Sequence, residues 1–337
     1  VNEFGKVVKV GENVPRFDHD PITRECKGLL IEETKTNLAE SSEDFGNTSF
    51  WSPTNQTIIT NVATAPDGTL TADNIIPASG NAVLRYLYFS VSAYPMSAST
   101  TYTTSIFVKK NGLRYFALQV HDNGSGSGHR AGFDLDNGTV VTSNNMGSAS
   151  NHSASIVEFP NGWFRCILTG TTAGSGSTGR TAFSFSSALD GNASVGAITA
   201  DGTNGGYVWG HQVEAGSYVT SYIPTVATEA TRGADLVKVD GEEFSEFYNP
   251  IESTILVDYT HDITSSQLGT DQRVYRFRAV GGSDTRIDYV SNSGYNPYIA
   301  KDGSAVASIS HGQAHVFNGG VNRSAVRVKE NSFAVSY

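Results

Sequence analysis

Residues 132–143, "GFDLDNGTVVTS", set Asn137-Gly138 between two runs of alternating character. A type I′ turn needs positive φ at both central positions, which Asn and Gly tolerate best, so the stretch predicts a β-hairpin. The same device returns at Asn161-Gly162 in "VEFPNGWFRCILTG". Working outward, "AVLRYLYFSVS" sets Arg85, Leu87, Phe89 and Val91 against Leu84, Tyr86, Tyr88 and Ser90, and "TYTTSIFVKK" alternates in the same way. With "RYFALQVHD", "TAFSFSS" and "GGYVWGHQVEAG" these runs give about eight strands between residues 41 and 223, at the spacing of a β-sandwich or jelly roll.

The composition agrees with an all-β chain: of 337 residues 38% are hydrophobic and only 17% charged, and the 35 glycines fall mostly between short runs rich in Val, Ile, Thr, Tyr and Phe. Long helices are not expected. A net charge of -10 without blocks of Lys or Arg argues against nucleic acid as a partner. No run of about 20 apolar residues predicts membrane insertion, and "VNEFGKVVKV" lacks the apolar core of a secretory signal. A start at Val is expected of a fragment or a processed product. Cys166, in a strand-like run, reads as a buried free thiol, with a Cys26–Cys166 bridge as the alternative.

The domain reading is an extended lead-in over 1–40, a jelly roll over 41–223, a connector over 224–243 and a second β-sandwich over 244–337. In the last segment "STILVDYTHD", "QRVYRFRAV", "TRIDYVSNS" and "SAVRVKENSFAVSY" alternate, giving about five strands where a sandwich usually has seven or more. An incomplete sandwich leaves sheet edges that invite another chain, so a homo-oligomer is expected, with a trimer as the favoured form.

The lead-in carries "VPRFDHDP", whose Asp18 and Asp20 could offer hard oxygen ligands. Calcium wants six to eight oxygens, however, and the EF-hand pattern is absent. Arg16, Asp18, His19 and Asp20 therefore read as a structural strap of charge-assisted hydrogen bonds, with Leu29, Leu30 and Ile31 as a short buried strand, and neither metal nor cofactor is expected. No nucleophile elbow, H-E-x-x-H, P-loop or closely spaced strand carboxylates occur, so no catalytic residue is assigned. "GSGSGH" and "TTAGSGSTG" read as surface loops, and His121, His129 and His211 share no ligand spacing.

Aromatic side chains are the remaining chemical resource, because a flat ring stacks on the apolar face of a pyranose while polar neighbours bond its hydroxyls. Tyr86 and Tyr88 lie opposite Leu87 and Phe89 on their strand, Tyr115 and Gln119 lie opposite Phe116 and Leu118, and Trp209 and His211 lie opposite Val208 and Gly210. These six are the candidate glycan-binding residues. Aromatics at strand spacing are usually core, and Trp163 and Trp209 are expected between the sheets.

"VPRFDHDP", "GLLIEETKTNL", "SSEDFGNTSFW", "APDGTLTADNI", "NGWFRCILTG" and "YVWGHQVEAGSYVTSYIPT" occur in that order over roughly residues 14–233. Together they resemble the recurring signature of tailed-bacteriophage virion proteins, chiefly tail fibres and related appendages. The resemblance implies a carbohydrate-binding-module-like jelly roll on a virion, contacting host-surface glycan and other virion proteins, assembled in the host cytoplasm and displayed outside the cell. Residues 244–337 are similar to the start of a concanavalin or laminin-G-like domain. A non-catalytic glycan-binding module of a polysaccharide-degrading enzyme or depolymerase is the alternative.

Overall fold

In the computed structural model the chain forms two compact units, Val1–Leu236 and Val237–Tyr337. Residues 1–80, 85–89, 94–173, 178–195, 199–249 and 252–260 are described, with strand segments 286–287, 298–301, 304–308, 322–329 and 332–336. Leu84, Ser90, Val91, residues 174–177 of the "TTAGSGSTG" loop and "QRVYRFRAV" lie outside the described residues. Both units are built of β-sheet. The division falls inside the expected connector, so the lead-in and residues 224–236 belong to the first unit.

The lead-in contributes β1 (Phe17–His19), β2 (Cys26–Leu29) and β3 (Lys35–Asn37). Next come β4 (Trp51–Thr54), β5 (Gln56–Ala63), β6 (Ala72–Pro77), β7 (Tyr86–Phe89), β8 (Tyr94–Pro95), β9 (Thr101–Asn111) and β10 (Tyr115–Asp122). The sandwich continues as β11 (Gly128–Asp134), β12 (Thr139–Met146), β13 (Ser150–Phe159), β14 (Trp163–Thr171), β15 (Thr178–Ser186) and β16 (Gly205–Ala215). β17 (Ala230–Arg232) returns to pair with β3. Seven strands make one sheet in the order β12-β11-β10-β15-β7-β4 with β8 beside β15, and six make the other in the order β13-β14-β9-β16-β6-β5. That is more than the eight or so strands that alternation predicts. β5 shows why: its register against β6 breaks between Ile59 and Ala63, around Asn61 at φ 56°, which hides the period-two signal.

Alternation holds where the sheets face each other. Leu87, Phe89, Ile106, Val108, Phe116, Leu118, Phe133, Phe183 and Phe185 point inward into one buried cluster. At its centre Trp51 meets Phe45, Phe89 and Phe183 with ring centroids 4.8, 5.2 and 5.5 Å away, and its indole N–H donates to the Ser41 carbonyl at 3.0 Å. Cys166 is buried and Cys26 exposed, both as free thiols. Both predicted hairpins form, by different turns. Asn161 and Gly162 are both at positive φ (63° and 77°), whereas at the other turn only Gly138 is (62°). There the Asp134 carboxylate accepts from the Asp136 N–H and the Asn137 amide, and it closes a four-residue loop in which Asn137 needs no left-handed backbone.

β16 departs from regular pairing. It bonds β6 only over Gly206–Val208, and its register against β9 jumps between Trp209 and Gln212, with Gly210 at φ 64°. The lead-in takes over as neighbour: His211 N–H donates to the Ser42 carbonyl (2.9 Å) and Leu38 N–H to the Val213 carbonyl (2.8 Å). Asn37, fully buried, completes the joint. Its Oδ1 accepts from Val213 and Ala39 (3.0 and 3.1 Å), and its Nδ2 donates to the His211 and Ile223 carbonyls (3.1 and 2.9 Å).

In the second unit α1 (Gly241–Phe247) precedes β18 (Glu252–Tyr259), β19 (Arg286–Ile287), β20 (Tyr298–Lys301), β21 (Ser304–Ser308), β22 (Asn322–Lys329) and β23 (Ser332–Ser336). The described strands form two three-stranded sheets, β18-β22-β23 and β19-β20-β21.

Asn37→Ala strips four buried backbone groups of their partner, so a loss of about 2–4 kcal/mol of unfolding free energy is expected in urea titrations. A value within 0.5 kcal/mol of the parent, about the effect of an ordinary surface change, would remove Asn37 from this role.

Candidate functional site

The two sheets differ in what covers their outer faces. On the six-stranded sheet Phe107, Phe159, Trp163 and Trp209 form a second buried cluster with Ala65 and Ala72, and Val1, Val7 and Tyr222 pack against it. The Trp163 indole donates to the Thr64 carbonyl and that of Trp209 to Thr71 Oγ1, each at 3.1 Å. The two tryptophans are thus buried as expected, but under the lead-in rather than between the sheets. Trp209 and His211 do not share a face either. The extra residue in the β16 bulge turns His211 inward, where its ring lies 5.2 Å from Trp51 and its Nε2 3.1 Å from Thr181 Oγ1. At 1% and 0% exposure neither residue is open to a ligand.

Strap residues hold the covering segment. Arg16 Nη1 lies 2.8 Å from Glu32 Oε2, and its Nη2 pairs with Asp235. Arg232 also reaches Glu32, at 3.1 Å, and the Ser221 N–H donates to the same carboxylate at 2.8 Å. Glu32, in the same acidic stretch but outside the four residues assigned to the strap, is the hub. Asp18 lies 2.7 Å from the Val1 nitrogen, and His19 Nδ1 is 3.3 Å from the Val1 carbonyl oxygen. Asp20 bonds only its own turn, accepting from Ile22 and Thr23 N–H at 2.9 and 2.8 Å, which holds its carboxyl below the usual range. The expected buried strand Leu29–Ile31 is not found: Leu29 is 40% and Ile31 57% exposed, because β2 pairs only with the two-stranded β1 ladder at the surface. Among the described residues no three His, Cys, Asp or Glu side chains are grouped to hold a metal ion.

The outer face of the seven-stranded sheet is covered only in part, where Leu189 and Val195 pack with Ala117 and Ala182. Tyr86 and Tyr88 on β7, Gln119 and His121 on β10 and Arg180 on β15 line a recess of about 330 Å³, floored by Ala182 and walled by Val195. Register produces this grouping, since Ala182 sits opposite both Tyr88 and Gln119, and Arg180 sits opposite His121. The tyrosine rings meet edge to face, centroids 5.5 Å apart, and the Arg180 guanidinium carbon lies 5.4 Å from the Tyr88 ring centre. Gln119 Nε2 lies 3.3 Å from His121 Nδ1. With the amide donating, the neutral ring carries its proton on Nε2. Burial, and then the charge of Arg180, lower the His121 pKa below its ordinary 6.5, so the neutral ring prevails at pH 7.

Three of the six candidate residues, Tyr86, Tyr88 and Gln119, therefore come together. Tyr115 shares their face but lies outside the recess, beside the Arg114 guanidinium, 5.0 Å from its ring. Sequence reading missed His121 and Arg180 as site residues. His121 was accessible through its two-residue offset from Gln119, but only strand register brings Arg180 to it.

No protein-family model matches the chain, and no curated protein matches it. Among solved structures it is similar to the CBM22-1 and GH10 modules of endo-1,4-β-D-xylanase 10B from Clostridium thermocellum, complexed with xylohexaose. The identity is 12% and the TM-score 0.31, over 58% of this chain and 30% of that chain, so the present chain spans less than a third of the xylanase chain. It is also similar to the tripod from the baseplate of bacteriophage Tuc2009, at 12% identity and TM-score 0.24, over 90% of this chain and 94% of that chain. Similarity at this level assigns neither a residue nor a function.

Full burial pushes the His211 pKa down to about 3 from 6.5. The unfolded chain binds the proton first, so the stability held by the neutral ring is present above pH 6.5 and is lost as pH falls below it, by about 1.4 kcal/mol per pH unit. Urea titrations at pH 7 and pH 5 are expected to show the parent losing about 2 kcal/mol more than His211→Gln over this interval. Equal losses would refute the assignment.

Proposed function

We propose that the chain is a non-catalytic component of a phage virion, part of a tail fibre or another appendage, whose first unit contacts host-surface glycan. The recess is the observation that carries this reading. It offers two tyrosine rings for stacking, with amide, imidazole and guanidinium donors beside them, on the one sheet face that the lead-in leaves uncovered. The ordered sequence resemblance over residues 14–233 favours the virion over a module of a polysaccharide-degrading enzyme.

Few rings stack and the sugar loses hydration, so a single site should bind with a Kd on the order of millimolar to micromolar. Repetition on a particle multiplies such contacts without new chemistry, which favours a homo-oligomer, taken here as a trimer. Light scattering of the purified chain checks the assembly, and a monodisperse monomer would refute it.

A glycan array probed with the multimerised first unit is expected to show binding to host-surface sugars. Tyr88→Ala should weaken that binding about five- to thirtyfold, one stacked ring being worth roughly 1–2 kcal/mol. Its melting midpoint should stay close to the parent's. Incubation with host polysaccharide should release no new reducing or unsaturated ends. Silence across host glycans would sink the binding claim, and release that scales with protein concentration would sink the non-catalytic one.

A further inference from the structure

We infer that the recess on the seven-stranded sheet selects an acidic saccharide, with Arg180 as the residue that recognises the negative charge. The inference rests on the glycan-binding reading of that face and adds the class of sugar.

Two arginines flank the recess without a carboxylate partner. Arg180 stands opposite His121 in the β10–β15 register, and Arg130 stands opposite Gln119 in the β10–β11 register. Among the described residues neither forms an ion pair, whereas Arg16, Arg114 and Arg232 each lie within salt-bridge distance of a carboxylate. The Nε of Arg180 and the Nε of Arg130 are both buried without a hydrogen-bond partner. Arg130 spends one guanidinium nitrogen on Ser194 Oγ at 3.0 Å, and the nearby Asp190 carboxylate is engaged by the Ser194 N–H at 2.7 Å.

Arg180 is only half-buried and lines the recess, so an arriving anion can supply the counter-charge that it lacks among the described residues. Among the described residues no acidic side chain lines the recess, although the chain has 33 Asp and Glu against 23 Lys and Arg. The planar fork of Arg180, held over the Tyr88 ring, matches a carboxylate or a phosphate better than a hydroxyl. Tyr86 and Tyr88 then supply the stacking surface for the sugar that bears the acid. A neutral sugar can offer hydroxyl oxygens to the same donors but no counter-charge.

The test titrates the full chain, followed by NMR or calorimetry, with D-glucose and D-galactose, their uronates and their 6-phosphates, and with acetate and inorganic phosphate alone. At least one acidic sugar is expected to bind about tenfold or more tightly than its neutral parent and than the free anion, as one charge-assisted contact predicts. The uronate and phosphate arms separate the two sources of charge. Arg180→Gln should bring the acidic-sugar affinity down to that of the neutral parent with the melting midpoint close to the parent's, and Arg180→Lys should restore part of the preference. Equal affinity for acidic and neutral sugars, or a preference that survives Arg180→Gln, overturns the inference and leaves the glycan reading standing. Free anions binding as tightly as the acidic sugars would overturn both. No saturation by any acidic sugar up to about 50 mM, a free energy near 2 kcal/mol, also overturns the inference.

Discussion

Asn37 makes four hydrogen bonds at the point where β16 stops being an ordinary strand, and the arrangement of the first unit depends on that joint. A bulge leaves backbone groups without their ladder partners, and a buried one must find them elsewhere. The lead-in meets that need. Through Asn37, Leu38 and Ser42 it becomes the neighbour that β6 no longer is. Once fixed there, the chain before Asn37 lies over the six-stranded sheet, where it buries Trp163 and Trp209. The two sheets are thereby made unequal: one carries a large aromatic core on its outer side, while the other has only the small Ala117, Ala182 and Val195 cluster there, with a recess beside it.

Electrostatics follow the same division. Over the covered sheet charges are matched: Glu32 is shared by Arg16, Arg232 and the Ser221 amide. Arg165, half-buried, donates to Ser105 Oγ at 3.2 and 3.0 Å and lies 5.2 Å from the Phe107 ring, and burial pushes its pKa down to about 10. Such groups stay buried because each finds acceptors, a π face or a counter-charge in the fold itself. Over the other sheet Arg114 is matched by Asp134, but among the described residues Arg180 and Arg130 have no carboxylate partner.

The parts of the fold legible in the sequence are those where side-chain period and backbone register agree. Leu87, Phe89, Phe116 and Leu118 fall inward as alternation requires, which correctly sets Tyr86, Tyr88, Tyr115 and Gln119 on the opposite face. Alternation fails where the backbone inserts a residue. Gly210 flips every side chain beyond it, so His211 leaves the face that Trp209 occupies, and the break near Asn61 hides β5 in the same way. Burial of Trp163 and Trp209 was foreseeable from their size, but not the side on which they bury, because that depends on a lead-in with no strand pattern of its own. Leu29 and Ile31 show the reverse error: apolar residues in a row suggest a core strand, yet the two-stranded ladder they adjoin has no second layer to bury them.

The recess illustrates why a binding face is harder to read than a core. A core is a local rule applied many times, since each inward position must be apolar whatever its partner. The recess depends on one alignment of three strands, in which Ala182 falls between Tyr88 and Gln119 and so leaves room for a ring above it. Moving β15 by one residue would replace that small side chain with Phe183 or Thr181 and send Arg180 to the other face. The register that prevents this slip is fixed by Phe183 and Phe185, which are fully buried against the Trp51 and Phe116 rings on the inner side of the same strand. The inner core thus determines the position of the outer site, and a sheet face can carry an open polar recess because its reverse is so firmly packed.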